Sequence, residues 1–293
     1  MPLLALQHLC CPIDGEAMQR SDQQWRCPRG HSFDIARQGY INLLPVQHKK
    51  SKDPGDSKAM VNARKQFLDR GIYQPIADAI TQLLLDEFGE AASCSVLDAG
   101  CGDGYYLNNL AQALADRGGN VTATGLDISK WALRCCLQRN RSLNGIVASN
   151  RSVPLPTASQ NIVLCAFGFP VYSEFSRLLR DGGYYLQVDS GPDHLLEFRE
   201  KLYAELRRSE PPSLDKAEQL IGPLHRRVRV HQQTRALSRS ELEELLSMTP
   251  HNYRATHEAR QALLSSAPMS LTLDVELRLL RCHGAFGEDP GNE

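Results

Sequence analysis

The sequence predicts an α/β protein: a doubly wound, mostly parallel sheet of Rossmann-like type, preceded by a small cysteine-bearing module. Three observations carry that prediction. Strand-like and helix-like runs alternate from Ser95 to Asp189, the pattern of βαβ winding. The first of those strands runs into a glycine turn, Asp98-Ala99-Gly100-Cys101-Gly102-Asp103-Gly104. Ahead of both, Cys-Pro pairs recur at Cys11-Pro12 and Cys27-Pro28.

Val96 and Leu97 read as the end of a buried strand, and the residues after Gly104 as a helix. Glycine between them permits φ > 0 and lets a ligand approach the main chain without meeting a Cβ. Strand, glycine turn and helix form the front half of a nucleotide-binding unit. The spacing is G-x-G-x-G rather than the dinucleotide G-x-G-x-x-G, with the acid Asp98 ahead of it; a plain tight turn is the alternative. The next strand, Val121–Leu126, ends at Asp127, 25 positions past Gly102, near the ~20-residue spacing of a ribose-binding acid. A carboxylate there can accept both ribose hydroxyls, and it also sits where it could cap the helix that follows. A third strand end, Gly145–Ala148, offers Ser149 and Asn150 near an adenine. A fourth, Ile162–Ala166, leads into Phe167-Gly168-Phe169-Pro170. Together these resemble the motifs of class I S-adenosyl-L-methionine methyltransferases, whose fourth loop borders the methyl-accepting atom.

Composition sets outer limits. The 293 residues can hold a domain of roughly 200 residues plus a small one. The formal net charge of −1 is uninformative, but its distribution is not. Residues 1–70 hold 11 Lys/Arg against 7 Asp/Glu, and residues 199–239 hold 10 against 5. The Met-Pro-Leu-Leu-Ala-Leu start is too short for a signal h-region, and no apolar run approaches the ~18 residues of a membrane span. Nine cysteines, an odd number, scattered through strands and helices point to a reducing cytoplasm.

In residues 1–46, Cys11, Cys27 and His31 supply three ligands of zinc-knuckle chemistry. The residue three after Cys11 would be the fourth, and here it is Asp14. A carboxylate oxygen can serve in a four-coordinate zinc site; Cys10 could substitute only in a rebuilt turn. So short a segment has little core and needs a staple; the alternative is a metal-free module packed on the main domain. Residues 47–57 are polar, breaker-rich and basic, a linker that is either a solvated tether or a phosphate-contacting arm.

Cys11-Pro12, Cys27-Pro28-x-x-His31-x-Phe33-Asp34, Gly39-Tyr40-x-Asn42-Leu43-Leu44-Pro45-Val46-Gln47-His48-Lys49 and Asp53-Pro54-Gly55-Asp56-Ser57 resemble the bacterial 23S rRNA guanine-N1 methyltransferases, the RlmA family. The likeness runs through most of the chain and fades after about Met248. It implies a zinc-binding RNA-recognition module, an S-adenosyl-L-methionine domain over residues 58–293, and a homodimer with a basic cleft. The implied substrate is a guanine in a hairpin of domain II of 23S rRNA. The family's second zinc cysteine falls on Asp14, so the implied metal set is Cys11, Asp14, Cys27 and His31. Tyr73 and His194 fall on family positions near the methyl donor; read alone, Tyr73 is a packing residue and His194 a hydrogen-bonded one.

Two helices are expected over 57–70 and 73–88, broken at Gly71 and restarted at Pro75. A basic helix is expected over 195–207 and a strand over 224–231, with Arg227 and Arg229 free to meet phosphates or to solvate an edge. A short acidic helix, Glu241–Leu246, and a last antiparallel strand, Asp274–Leu280, follow, and the tail from His283 frays. The donor site is assigned to Gly100, Cys101, Gly102 and Asp127, with Asn150, His194 and Tyr73 behind them, Cys101 contributing backbone only. Phe167 or Phe169 could stack on an unpaired guanine, and the residues name no general base. The competing readings are a methyltransferase for another RNA or a small molecule, and a non-catalytic RNA-binding adaptor with a vestigial fold.

Overall fold

The computed structural model describes residues 3–48, 51, 53–88, 93–206, 208 and 210–283. Four short strands, β1 (Leu9–Cys10), β2 (Ala17–Arg20), β3 (Gln24–Arg26) and β4 (Ser32–Asp34), form an antiparallel sheet in that order. The next strand, β5 (Tyr40–Asn42), leaves this module and pairs in parallel with β8 (Asn144–Val147) at one edge of an eight-stranded sheet.

The large sheet adds β6 (Cys94–Ala99), β7 (Val121–Asp127), β9 (Gln160–Ala166), β10 (Leu179–Ser190), β11 (Leu224–Gln233) and β12 (Thr272–Arg281), in the order β11-β12-β10-β9-β6-β7-β8-β5. Strands β5 to β10 are parallel, and β12 runs antiparallel to both neighbours. The chain winds outward from β6 through β7 to β8, then returns to β9 on the other side of β6. The β6/β9 crevice is therefore the topological switch point, where α/β sheets of this type bind ligands.

Helices α1 (Lys58–Asp69), α2 (Gln74–Glu87), α3 (Tyr105–Asp116) and α4 (Lys130–Arg139) precede α5 (Tyr172–Leu178), α6 (Leu196–Leu202) and α7 (Asp215–Leu220). The last three are α8 (Arg239–Met248), α9 (His251–Arg254) and α10 (His257–Ser265). Local chemistry fixes their starts. Ser57 accepts the Met60 N–H at the head of α1, Pro75 sits in the first turn of α2, and Ser238 with Glu241 makes a capping box on α8. Side chains alternate across the sheet: Val96, Ile162 and Leu164 join a core with α1–α4, α6, α8 and α10, while Leu97, Val163 and Cys165 face the other side. That second face is covered by α5, α7 and the small module, whose Leu9, Cys11, Met18, Trp25 and Cys27 share one apolar cluster with it. A parallel sheet needs both faces covered, and here the N-terminal module supplies part of the cover.

Several expectations shift. The basic helix expected to Arg207 stops at Leu202, because Tyr203 turns extended (φ −135°, ψ 135°) and sets its hydroxyl 2.8 Å from His251 Nδ1; Arg207 lies outside the described residues. Segment 47–57 is pinned rather than loose over residues 53–57. Ser129 Oγ donates to the Asp56 carbonyl at 2.7 Å, Lys130 pairs with Asp53, and a Cβ on Gly55 would lie 2.7 Å from Ile128. Its Lys49, Lys50 and Lys52 lie outside the described residues, as does the tail after His283. Arg229 is not free for phosphate: it holds Asp274 through two bonds of 2.7 and 2.9 Å.

Candidate donor site and metal cluster

The β6 strand ends in a turn whose glycines all take positive φ: 101° at Gly100, 54° at Gly102 and 75° at Gly104. Their surroundings differ. A Cβ on Gly104 would lie 2.5 Å from Cys136 Sγ, so Gly104 lets α3 pack on α4. A Cβ on Gly100 would meet nothing within 4 Å, so its main chain borders open space. The Gly100 and Cys101 N–H groups both go to Leu126 O, at 2.8 and 3.0 Å. Gly102 N–H donates to Asp127 Oδ2 at 3.0 Å, while Asp127 Oδ1 accepts the Ser129 N–H at 2.8 Å. Asp127 thus steadies the first loop and opens the α4 turn. Burial raises its pKa, and those two N–H groups pull the other way.

Asp98 is 1% exposed, and neither carboxyl oxygen has a hydrogen-bond partner among the described residues. Burial first, then the charges of Asp127 and Asp103, push its pKa up to about 8. A buried, unpartnered carboxyl is costly unless a ligand completes it. A donor carrying both an ammonium and a sulfonium group is chemically suited to do so. The open face of Gly100, the orphaned Asp98 and the acceptor capacity of Asp127 therefore fit an adenosyl sulfonium ligand.

An aromatic wall stands beside these acids. Tyr73 and Phe67 meet edge-on at 5.3 Å, Tyr73 and His194 at 5.9 Å, and Phe167 stacks on His194 at 6.0 Å and 26°. Tyr106 closes on Phe167 at 6.2 Å. His194 Nδ1 accepts the Asp274 N–H at 3.3 Å, which leaves Nε2 to carry the proton toward the Tyr73 hydroxyl, 3.2 Å away. Burial depresses the His194 pKa to about 4 and raises that of Tyr73, so both are neutral at pH 7. Phe167 takes φ 54°, an uncommon conformation for an aromatic residue. The next aromatic, Phe169, is 90% exposed, and its carbonyl accepts the Asn150 side-chain N–H at 3.2 Å. Asn150 also donates to Ala99 O at 3.3 Å, so it ties the fourth loop to the end of β6.

The N-terminal module brings Cys11, Asp14, Cys27 and His31 together, with one ligand atom of each within 4.8 Å of the others. His31 Nδ1 lies 2.9 Å from Asp14 Oδ2, 3.3 Å from Cys27 Sγ and 3.5 Å from Cys11 Sγ. Two buried thiols, a carboxylate and an imidazole are a fitting zinc donor set. Asp14 occupies the position where a cysteine is expected, and Cys10 stays outside the cluster.

The structure thus gathers Gly100, Cys101, Gly102, Asp127 and Asn150 at the β6–β7–β9 end, and Tyr73 with His194 in the adjoining wall. The backbone N–H of Cys101 is already committed within the fold. Asp98, Phe67, Tyr106 and the strained Phe167 were not among the assigned donor residues. Asp98 is legible as the acid before the glycines. The aromatic contacts are not legible, because Phe67, Tyr106 and His194 reach Tyr73 or Phe167 only through tertiary packing.

Strand order and the acids at the ends of β6 and β7 define the class: this is a class I S-adenosylmethionine-dependent methyltransferase fold, and residues 96–183 match the family model described as a methyltransferase domain. Residues 9–52 match the model of the RlmA N-terminal zinc ribbon. The chain belongs to the 23S rRNA (guanine-N1)-methyltransferase family. A Micromonospora griseorubida protein provisionally given that name is 32% identical over 94% of this chain and 98% of its own. One from Bacillus subtilis, also provisionally named, is 28% identical over 91% and 94%. The 23S rRNA (guanine(748)-N(1))-methyltransferase of Streptomyces fradiae is 33% identical over 67% of this chain and 68% of its own. Among the described residues no helix is long and apolar enough to cross a membrane.

Proposed function

We propose that this chain methylates N1 of a guanine in a hairpin loop of domain II of 23S rRNA, using S-adenosyl-L-methionine. The observation that carries the reading is the buried, unpartnered Asp98 beside the open face of Gly100, in a chain of the rRNA (guanine-N1)-methyltransferase family. When bound, the donor supplies an activated methyl group on sulfur. The chain's own task is then mainly to hold donor and acceptor in line.

Asp127 would accept the ribose hydroxyls while its bond to Gly102 fixes the loop. Asp98 would face the donor's positive charge. Tyr73, Phe167 and His194 would wall off water, with the His194 tautomer set by Asp274. N1 of guanine lies on the pairing edge, so the base must be unpaired or extruded. Phe169, exposed at the crevice, offers a face on which it can stack. Cys11, Asp14, Cys27 and His31 would hold Zn²⁺ and keep the small module in shape for RNA recognition. We assign residues 1–46 to that module, 47–57 to the connecting segment and 58–293 to the methyltransferase unit, working as a cytoplasmic homodimer.

The test is to map N1-methylguanine in 23S rRNA from cells with and without the gene, alongside methyl transfer by the purified protein. Loss of one modified guanine, restored by the gene, is the expected result. Labelled methyl found only in protein or metabolites would reject the reading.

A further inference from the structure

We propose that the α1–α4 rim around Trp131 is a binding surface for the sugar-phosphate backbone of the RNA substrate. The inference rests on the rRNA reading above and adds a place on the enzyme where RNA is held. Three cations from two helices converge on one indole: Lys130 Nζ and the Arg134 guanidinium each lie 5.1 Å from the ring centroid, and Lys58 Nζ lies at 5.9 Å. Only Lys130 has an acid beside it, Asp53; among the described residues neither Lys58 nor Arg134 forms an ion pair. Each exposed cation–π contact contributes only about 0.5–1 kcal/mol, and three like charges around one ring repel. A polyanion removes that repulsion, and an aromatic amid cations is the arrangement that grips a nucleic-acid strand without reading its sequence.

The position fits as well. Trp131 lies in the first turn of α4, four residues past Asp127, and Lys58 opens the helix that carries Arg64. Arg64 Nη1 lies 3.7 Å from where a Cβ on Gly102 would stand. The rim therefore borders the donor loops, so a strand held there passes close to the methyl donor. The half-buried indole also packs against the core, which restrains the ring, while Lys58 is exposed and Lys130 and Arg134 are partly so.

The test uses the full-length protein and a domain II transcript of 23S rRNA, with binding measured at several salt concentrations. Lys58→Ala with Arg134→Ala should weaken binding roughly tenfold at low salt and lower the slope of log affinity against log salt by about 1.5, since each phosphate contact contributes about 0.7–0.9. Affinity for S-adenosylmethionine should stay as in the wild type. Lys216→Ala with Arg281→Ala removes the same charge from α7, on the other face of the sheet, and from the end of β12 that pairs with the start of β10, and should leave the slope unchanged. RNA should also change the fluorescence of the wild type by more than that of Trp131→Phe. An unchanged slope in the rim variant, or an equal loss in the control, overturns the proposal while methyl transfer to this RNA by the wild type preserves the substrate reading. Absence of that transfer overturns both.

Discussion

The carboxylate of Asp127 accepts the backbone N–H of Gly102 at 3.0 Å, so the acid expected to hold the ribose also holds the first nucleotide loop. Asp127→Ala removes both functions. Its affinity for S-adenosylmethionine should fall by roughly 10- to 100-fold, the equivalent of about 1.5–3 kcal/mol for a hydrogen bond to a charged group. Calorimetry on the folded variant checks it, and wild-type affinity would show that Asp127 is only a structural clamp.

The glycines of one turn should separate by consequence. Gly104→Ala puts a Cβ 2.5 Å from Cys136 Sγ, and such overpacking costs about 1–3 kcal/mol on top of the positive-φ penalty. Gly100→Ala meets no protein atom; it bears only that penalty and fills space needed by the donor. Urea unfolding should show the larger loss for Gly104→Ala, and donor binding relative to stability the larger loss for Gly100→Ala.

Two phenylalanines two residues apart should behave differently. Phe169→Ala should leave donor affinity intact and lower methyl transfer to rRNA by about 10- to 100-fold, since base–aromatic stacking contributes about 1–3 kcal/mol. Phe167→Ala removes a ring from the His194 and Tyr73 wall and should weaken donor binding itself. Parallel calorimetry and transfer assays distinguish the two.

His194 gives stability a pH dependence of known sign. Its pKa falls from the ordinary 6.5 to about 4 because burial disfavours the imidazolium. Between those values the unfolded chain binds a proton that the folded chain refuses. Stability is therefore full above about 6.5 and declines as pH falls toward 4, by about 3 kcal/mol at most. His194→Gln should flatten that decline in urea titrations run at a series of pH values.

The module's ligand set predicts one zinc per chain in metal analysis. Cys27→Ala and Asp14→Ala should lose it and melt at lower temperature, whereas Asp14→Cys should keep it and resist chelators longer, because a thiolate suits zinc at least as well as a carboxylate.

Much of this architecture was legible because its signals are local. The alternation from Ser95 to Asp189, the glycine turn and the acid at Asp127 each sit within one strand–helix step, and β7, β8 and β9 formed within two residues of their expected bounds, whereas β10 starts at Leu179, ahead of the expected Gly183. Helices α7, α9 and α10 were not foreseen; at 4 to 9 residues they carry too few turns for a clear periodicity. Arg229 reads as a free edge cation in sequence, yet Asp274 lies across the ladder on β12, a pairing that register alone sets. Segment 53–57 reads as a tether because Pro, Gly and Asp dominate it, and its anchorage depends on Ser129 and Ile128, over 70 positions away.

The sharing of one apolar cluster by Trp25, Cys27, Leu97 and Val163, with Tyr40–Asn42 stitched to the edge of the large sheet, limits how such an enzyme can be re-engineered. Its N-terminal head cannot be swapped like a plug-in part. A chimera that grafts a foreign zinc ribbon onto this catalytic body, or trims the ribbon away, would leave greasy surface on β6 and β9 with nothing laid over it. Such hybrids should come out of cells as inclusion bodies unless the graft brings its own matching underside.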